Sequence, residues 1–289
     1  MSKYLLGLYE KSMPNSLTIV EKLQEAKEAG YDYLEISIDE TDEKLARLDW
    51  SPEEIRALKQ AQEEIGIPIK SICLSGHRKY PLGSLNPEVR QRSLEIMEKA
   101  VAFATRLGIR VIQIAGYDVY YEESCQQTKE YFADNLALAV EMAAKEGVVL
   151  GFETMETPFM DTVEKTMVWV NKINSPYLQI YPDTGNLANS ALLYDGDVVK
   201  DLQLGTGHLI AVHLKETTPG IYREVPYGTG HVDFIRIIEE VWAQGVRMFV
   251  GEFWYVGNED WREVLRGNHT FIRERIENSS VNKNHNKIP

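Results

Sequence analysis

The chain has 289 residues, of which 44% are hydrophobic, and a formal net charge of −13. This length and apolar content suit one large α/β domain with a full core, and they exclude disorder over most of the chain. The acidic balance argues against a nucleic-acid partner, which needs a basic face, but it leaves an anionic small-molecule substrate open.

Targeting signals and disulfides are not indicated. No apolar run reaches the roughly 18 residues of a membrane span, and the apolar part of the N-terminus is too short for a signal peptide. The two cysteines, Cys73 and Cys125, provide no disulfide framework. We therefore expect a cytoplasmic protein without a membrane partner.

Eight apolar runs alternate with helical patterns along the chain. At five junctions a glycine ends the helical pattern and a strand follows at once, because glycine takes the left-handed conformation past a helix end. These glycines are Gly30, Gly66, Gly108, Gly147 and Gly245. The strands are predicted at about 3–10, 31–38, 67–75, 109–115, 148–154, 177–182, 208–214 and 247–253.

Strict strand–helix alternation predicts a parallel sheet, and eight units favour closure into a (β/α)8 TIM barrel. Ser51 and Asn86 are predicted N-caps of two of the helices, and Asp161 and Asn15-Ser16 are candidate caps of two more. An open doubly wound sheet is the alternative, although no glycine-rich phosphate fingerprint follows the first strand. Residues 1–278 are predicted to form one domain, and the polar, aperiodic tail 279–289 is predicted to be disordered.

Four predicted strands in the second half of the chain end at a side chain that can bind a metal or a proton. These side chains are Glu153, Asp183, His213 and Glu252, at strands five to eight. In a barrel the carboxyl ends of all strands form one rim, so the four residues are expected to lie together. Three carboxylates and one imidazole suit a divalent ion such as Mn²⁺, Zn²⁺, Co²⁺ or Mg²⁺. The alternative is that each is an ordinary strand-end polar group with a local partner.

Glu153 and Glu252 leave strands that are well separated around the ring, so they can flank a bound ligand. Carboxylates on both sides of one carbon are what proton removal from one face and return on the other requires. A metal beside them acts as a Lewis acid that stabilises the developing negative charge.

Seven motifs spread over the chain resemble one family. They are Gly7–Lys11, Asp39–Trp50, Leu74–Arg78, Ala115–Tyr121, Tyr181–Asn186, Ala211–Lys215 and Pro226–Phe234. They resemble the L-ribulose-5-phosphate 3-epimerases (L-xylulose-5-phosphate 3-epimerases) of bacterial L-ascorbate and pentose catabolism, which are xylose isomerase-like TIM barrels. The resemblance covers the chain except its tail.

This resemblance implies C3 epimerisation of a ketopentose 5-phosphate with one divalent metal ion. It implies that Glu153, Asp183, His213 and Glu252 are the metal ligands. It also implies that Glu153 and Glu252 are the acid–base pair, and that the protein is a homodimer.

Five further residues are candidates for binding the sugar phosphate. Asn186 and Lys215 lie near the metal positions, and His77 and Arg78 follow the third strand, where a planar guanidinium suits a phosphate. Tyr9 leaves the first strand toward the same rim. The alternatives are a turn residue for Asn186, a solvated charge run for His77 and Arg78, and core packing for Tyr9.

Glu10, the Gly228–Gly230 segment and Glu35 are further polar features near this rim. Glu10 is expected to exit toward it beside Tyr9, and Gly228-Thr-Gly230 can offer backbone N–H groups to an anion, although such a pair is more often a turn. Glu35 is interpreted as a buried partner of a rim Lys or Arg.

Three other functions stay open at the level of sequence. The first is an aldose–ketose or hexulose-6-phosphate isomerase on the same metal site. The second is a DNA-repair endonuclease of the trinuclear-zinc class, which needs several more histidine ligands. The third is a sugar-phosphate sensor without catalysis.

Overall fold

A computed structural model describes residues 3–279 of the chain and contains eight parallel β-strands. Each lies within its predicted range and is shorter than predicted. They are β1 (Leu5–Tyr9), β2 (Tyr33–Ile38), β3 (Ile69–Leu74), β4 (Val111–Ala115), β5 (Val149–Glu153), β6 (Leu178–Ile180), β7 (Val212–Leu214) and β8 (Met248–Gly251).

Helices fill the segments between the strands and follow the last one. The α-helices of the described residues are α1 (Ile19–Glu28), α2 (Asp42–Ala46), α3 (Pro52–Ile65), α4 (Pro87–Leu107), α5 (Gln126–Lys145), α6 (Val163–Ile173), α7 (Thr184–Leu193), α8 (Val198–Leu204), α9 (Phe234–Ala243) and α10 (Trp261–Asn278). Short 3₁₀ helices cover Glu10–Ser12, Arg47–Asp49 and Gly76–Arg78.

The sheet closes on itself. Its hydrogen-bonded strand order is β6-β5-β4-β3-β2-β1-β8-β7, so each strand lies beside its neighbours in sequence. Hydrogen bonds also join β6 to the segment just before β7, which are the two ends of this strand order. The N–H of Ile180 donates to the carbonyl of His208 at 2.9 Å, and the N–H of Ile210 donates to the carbonyl of Ile180 at 3.0 Å. A doubly wound sheet reverses its strand order and stays open. The predicted (β/α)8 barrel is therefore confirmed.

The local signals behind that prediction are visible in the backbone. All five junction glycines have positive φ, between 65° and 95°. The Ser51 hydroxyl accepts a hydrogen bond from the N–H of Glu54 at 3.2 Å, and the Asn86 side chain accepts one from Glu88 at 2.9 Å, so these two predicted caps are confirmed. The candidate caps Asp161 and Asn15-Ser16 are wrong, because Thr162 caps α6 and Thr18 caps α1.

Strand alternation separates two apolar layers. Leu34, Ile36 and Ile38 of β2 are buried in the large core between barrel and helices. Tyr33 belongs to a smaller cluster inside the barrel, and Glu35 contacts other side chains of that interior. The interior is therefore partly polar, and its polar members lie below the rim where the strands end.

The predicted tail, 279–289, lies outside the described residues except for Ser279, which directly follows α10. Within residues 3–279, none of the helices combines the length and the apolar character that a bilayer crossing requires.

Glu10 does not face the rim with Tyr9, so that expectation is wrong. Its carboxylate is fully buried under α1 and α2, within 3.2 Å of Lys22 and 2.7 Å of Arg47, and it also contacts Lys44. Burial acts against ionisation of Glu10, but Arg47 and the two lysines outweigh it and hold the pKa of Glu10 well below its ordinary value. The Glu10 carboxylate, at the end of β1, thus forms ion pairs with a lysine of α1, a lysine of α2 and the arginine of the 3₁₀ helix that follows α2.

Replacing Glu10 by Gln is expected to lower the free energy of unfolding by about 3–5 kcal/mol at pH 7, because three buried cations lose their counter-charge. A carboxylate with a lowered pKa contributes stability above its unfolded pKa, near 4.5, and that stability is lost as the pH falls below it. The difference between wild type and Glu10→Gln should therefore shrink below about pH 4.5. Urea denaturation across this range checks both points.

The exposed Glu63 provides the matched control, since Glu63→Gln should change the unfolding free energy by less than about 0.5 kcal/mol. A Glu10→Gln variant as stable as Glu63→Gln would show that the buried cluster does not stabilise the fold.

Candidate active site and metal centre

Four side chains meet at the carboxyl ends of β5 to β8. Each of Glu153, Asp183, His213 and Glu252 offers an oxygen or nitrogen atom, and these atoms all lie within 4.8 Å of one another. All four residues are buried. Within residues 3–279, no other group of three or more Asp, Glu, His or Cys side chains comes together in a way that could hold an ion.

Asp183 has one carboxylate oxygen engaged and one free. Its Oδ1 caps α7 by accepting from the N–H of Asn186 at 2.7 Å, and it lies 3.1 Å from Nζ of Lys215. Its Oδ2 is buried and has no hydrogen-bond partner among the described residues. A buried carboxylate oxygen without a partner is costly, and a metal ion satisfies it.

His213 is held from both sides of its ring. Its Nδ1 lies 2.9 Å from Oε2 of Glu252 and 3.8 Å from Oε1 of Glu153, and its Nε2 lies 2.5 Å from Oε1 of Glu35. Burial acts to lower the pKa of His213, but the charges of Glu35 and Glu252 outweigh it and raise this pKa well above its ordinary value.

The carboxylates of the cluster oppose one another electrostatically. Burial raises the pKa of Glu153 and raises that of Asp183 well above its ordinary value. Burial also acts against ionisation of Glu252, but Lys215 and His213 outweigh it and hold the pKa of Glu252 well below its ordinary value. Three carboxylates at these distances can all be ionised at once only if further positive charge lies beside them. The donor set and the free Asp183 oxygen therefore fit a divalent cation.

A cavity of about 300 Å³ opens above the cluster. Glu153 and Glu252 line it, and so do the predicted substrate residues Tyr9, Arg78, Asn186 and Lys215. Its remaining lining residues are Lys11, Cys73, Ser75, Met155, Glu156, Arg223, Glu224 and Trp254. Three larger cavities, of about 540, 530 and 480 Å³, lie between outer helices and contain none of the four cluster residues.

Asn186 and Lys215 form one hydrogen-bonded unit beside the cluster. The Lys215 ammonium donates to Oδ1 of Asn186 at 2.9 Å, and the Asn186 amide donates to the carbonyl of Thr154 at 2.7 Å. Burial acts to lower the pKa of Lys215, but Asp183 and Glu252 outweigh it and raise this pKa above its ordinary value. Lys215 therefore keeps a positive charge at the floor of the cavity.

His77 lies away from the cavity, and Gly228-Thr-Gly230 forms a turn, which is the alternative given for it. His77 is buried outside the lining of the cavity, where its Nε2 lies 3.1 Å from the carbonyl oxygen of Ser93, and burial lowers its pKa to about 4. The N–H groups of Gly228 and Val232 donate to the carboxylate of Glu216, so the anion held by this turn is a side chain of the protein itself.

Sequence reasoning missed the contacts of Glu35 and Trp254. Glu35 contacts Ser71, Tyr181 and His213 rather than a rim lysine or arginine, so that interpretation is wrong. The alternation of β2 was the signal, because it places Glu35 on the same side as Tyr33, inside the barrel. Trp254 lies two residues beyond Glu252 and lines the cavity, where its ring packs edge-on against Tyr9.

The chain matches a family model and curated relatives over most of its length. The family model described as xylose isomerase-like TIM barrel matches residues 23–275. The chain is 46% identical over 256 residues to the L-ribulose-5-phosphate 3-epimerase UlaE of Escherichia coli O157:H7, and equally to that of Shigella boydii serotype 18. Each alignment covers 88% of this chain and 89% of the relative.

Solved structures share the fold at low sequence identity. A structure of L-ribulose 3-epimerase superposes with a TM-score of 0.77 at 18% identity and covers 99% of this chain and 98% of its own. A D-psicose 3-epimerase crystallised in the presence of D-fructose gives a TM-score of 0.78 at 14% identity, covering 94% of this chain and 99% of its own.

Proposed function

This chain belongs to the xylose isomerase-like TIM barrel family, among its L-ribulose-5-phosphate 3-epimerases, and we propose that it interconverts L-ribulose 5-phosphate and L-xylulose 5-phosphate. It is an isomerase of the sugar-epimerase class. The observation that carries the proposal is the buried cluster of three carboxylates and His213 under a cavity, in a chain 46% identical to named epimerases.

The ligands proposed for one divalent ion are Glu153, Asp183, His213 and Glu252. Mn²⁺, Zn²⁺, Co²⁺ and Mg²⁺ all suit this set of donors. When bound, the ion supplies the positive charge that polarises the ketose carbonyl and stabilises the enediolate. The free oxygen of Asp183 and the opposed charges of the cluster support this part of the proposal.

Glu153 and Glu252 are the proposed acid–base pair at C3. The C3 proton is acidic because C3 is adjacent to the C2 carbonyl, and its removal leaves an enediolate. One glutamate takes this proton, and the other returns a proton from the opposite face, which inverts C3. Both residues line the cavity and come from strands separated by β6 and β7, so they can lie on two sides of one ligand.

Lys215 and Asn186 are proposed to orient the sugar beside this pair. The Lys215 ammonium stays protonated at the cavity floor, so it can donate to a sugar oxygen that gains negative charge. The Asn186 amide fixes Lys215 through a 2.9 Å hydrogen bond. Tyr9, which also lines the cavity, is proposed as a further contact.

Arg78 is the proposed phosphate ligand. Lys11 and Arg223 line the same cavity, but Lys11 is paired with Asp39 at 2.6 Å and Arg223 with Glu156 at 2.9 Å. The Nε of Arg78 is buried and has no hydrogen-bond partner among the described residues. A guanidinium with a donor still available suits a phosphate, which accepts in a bidentate manner. His77 is not part of this proposal.

The homodimer and the role in L-ascorbate catabolism that the resemblance implied stay predictions, and so does the cytoplasmic location expected from the cysteine content and the N-terminus. The trinuclear-zinc alternative requires more metal ligands than residues 3–279 bring together.

Incubation with L-ribulose 5-phosphate tests the function. The Mn²⁺-loaded protein is expected to produce L-xylulose 5-phosphate, identified by ¹³C NMR. Removal of the ion with EDTA should abolish the reaction, and addition of Mn²⁺ should restore it, because the cluster then regains its compensating charge. An aldose 5-phosphate as the product would support the aldose–ketose isomerase instead, and binding without turnover would support a sensor.

Glu153→Gln and Glu252→Gln should each lower turnover by about 10²–10⁴, because Gln neither accepts nor returns a proton at C3. Each should also lose exchange of the C3 hydrogen of one of the two epimers with D₂O, measured by ¹H NMR, because each glutamate serves one face of C3. Glu156→Gln is the control, since Glu156 lines the cavity outside the cluster and this variant should retain the exchange. Full exchange in both cluster variants would contradict the two-carboxylate mechanism.

Arg78→Gln should raise KM for the phosphorylated sugar about 10–100-fold, since a hydrogen bond to a charged group contributes about 1.5–3 kcal/mol. Its kcat/KM for unphosphorylated L-ribulose should stay close to that of wild type, because that sugar does not contact Arg78. Steady-state kinetics with both sugars separates these effects, and exposed Arg56→Gln provides the control. Equal losses for both sugars would remove Arg78 from the phosphate site.

A further inference from the structure

A fourth carboxylate lies below the cluster, inside the barrel. Glu35 comes from β2, is wholly buried and does not line the cavity. Its Oε2 accepts hydrogen bonds from the hydroxyls of Ser71 at 2.6 Å and Tyr181 at 2.9 Å, and its Oε1 lies 2.5 Å from Nε2 of His213. Glu35 therefore contacts the imidazole from the side opposite to the cluster carboxylates.

The two ring nitrogens of His213 have different surroundings. Nδ1 faces Glu252 and Glu153, while Nε2 faces Glu35. A neutral imidazole carries one proton, and only the other nitrogen can donate a lone pair to a metal. If Nε2 keeps its proton for Glu35, the lone pair of Nδ1 is directed toward the cluster.

Gln113 is a further polar neighbour of the ring. Its amide nitrogen lies 3.1 Å from Nδ1 and 3.2 Å from Nε2, so it does not distinguish between the two nitrogens. Two carboxylates do distinguish them, because Glu252 approaches Nδ1 and Glu35 approaches Nε2. Glu252 is a proposed ligand of the ion, so with the ion bound Glu35 is the carboxylate left to accept a ring N–H, and it selects the tautomer with the proton on Nε2.

From this arrangement we propose that Glu35 is a positioning residue, which fixes the tautomer and the orientation of His213 and thereby sets the affinity of the cluster for its divalent ion. The inference rests on the proposed function in one respect, namely that the cluster binds a divalent ion. Glu35 acts only through His213. A partner that accepts the second ring N–H typically improves metal affinity by a factor of about 10–100.

A purely structural role accounts less well for this residue. Burying a carboxylate costs several kcal/mol of desolvation, and an apolar side chain would fill the same space without that cost. Ser71 and Tyr181 donate to the carboxylate oxygen that does not face His213, so they hold the carboxylate in place while leaving the other oxygen for Nε2.

Mn²⁺ titration of the metal-free, full-length protein tests the proposal by calorimetry. Glu35→Gln is nearly isosteric and removes the charge, so its Kd for Mn²⁺ is expected to be about 10–100-fold weaker than that of wild type. Ser71→Ala is the matched control, because it removes one hydrogen bond from Glu35 but keeps the carboxylate beside His213. It should bind Mn²⁺ as wild type does, because the Tyr181 hydroxyl still donates to the same carboxylate oxygen of Glu35.

The melting temperature of each metal-free variant provides the second readout. If Glu35 is only structural, Glu35→Gln lowers the melting temperature and leaves the Kd unchanged, and the proposal is overturned. If Glu35→Gln does not fold, Glu35→Asp decides. It keeps the charge but withdraws the carboxylate by one methylene, so it should bind Mn²⁺ more weakly than Ser71→Ala, and equal affinity would reject the role.

The wild-type titration separates this inference from the proposed function. Wild-type protein that binds no Mn²⁺ would overturn the metal-dependent function itself. Wild-type protein that binds Mn²⁺ with the same affinity as Glu35→Gln would overturn only the role of Glu35.

Discussion

The repulsion among three buried carboxylates is the constraint on which this site depends. Parallel strands of a closed barrel must end at one rim, so Glu153, Asp183 and Glu252 share a space a few ångströms wide. Lys215 compensates one of the three negative charges of these carboxylates. Two negative charges remain, and one divalent cation would neutralise them. Without a cation, burial favours protonation of part of the cluster, which is seen in the raised pKa of Asp183. The chemistry we propose uses this charge imbalance.

The surroundings of the cluster give each member a fixed orientation. Asp183 is held by the first turn of α7, and the N-terminal end of that helix favours its negative charge. His213 is held by Glu35 from inside the barrel. In the lining of the cavity, Arg78 retains a buried donor without a partner among the described residues. A substrate with its phosphate at Arg78 and its ketose end at the cluster would therefore enter in one direction.

The features that the sequence could predict are those governed by local rules. Apolar runs, junction glycines and the cap at Ser51 depend on short-range geometry, so eight strands in a closed barrel followed from them. The convergence of Glu153 and Glu252 followed from barrel topology, which brings strand ends together whatever the intervening helices contain. These inferences needed no knowledge of side-chain packing.

The features that sequence reasoning missed depend on which way a side chain turns after a strand ends. Glu10 and Tyr9 are adjacent, yet only Tyr9 lines the cavity, because Glu10 is drawn beneath α1 by three cations. His77 and Arg78 are adjacent as well, and the 3₁₀ turn that contains both directs only Arg78 to the cavity. The charge run showed that cations were present, but not which of them was free.

Diffraction from crystals grown with Mn²⁺ tests the central claim most directly, because anomalous scattering locates the ion independently of activity. The account predicts one strong anomalous peak per chain, with the side chains of Glu153, Asp183, His213 and Glu252 each contributing an atom at about 2.0–2.3 Å. A cluster that holds no ion at saturating Mn²⁺, or a peak bound by other residues, would contradict it.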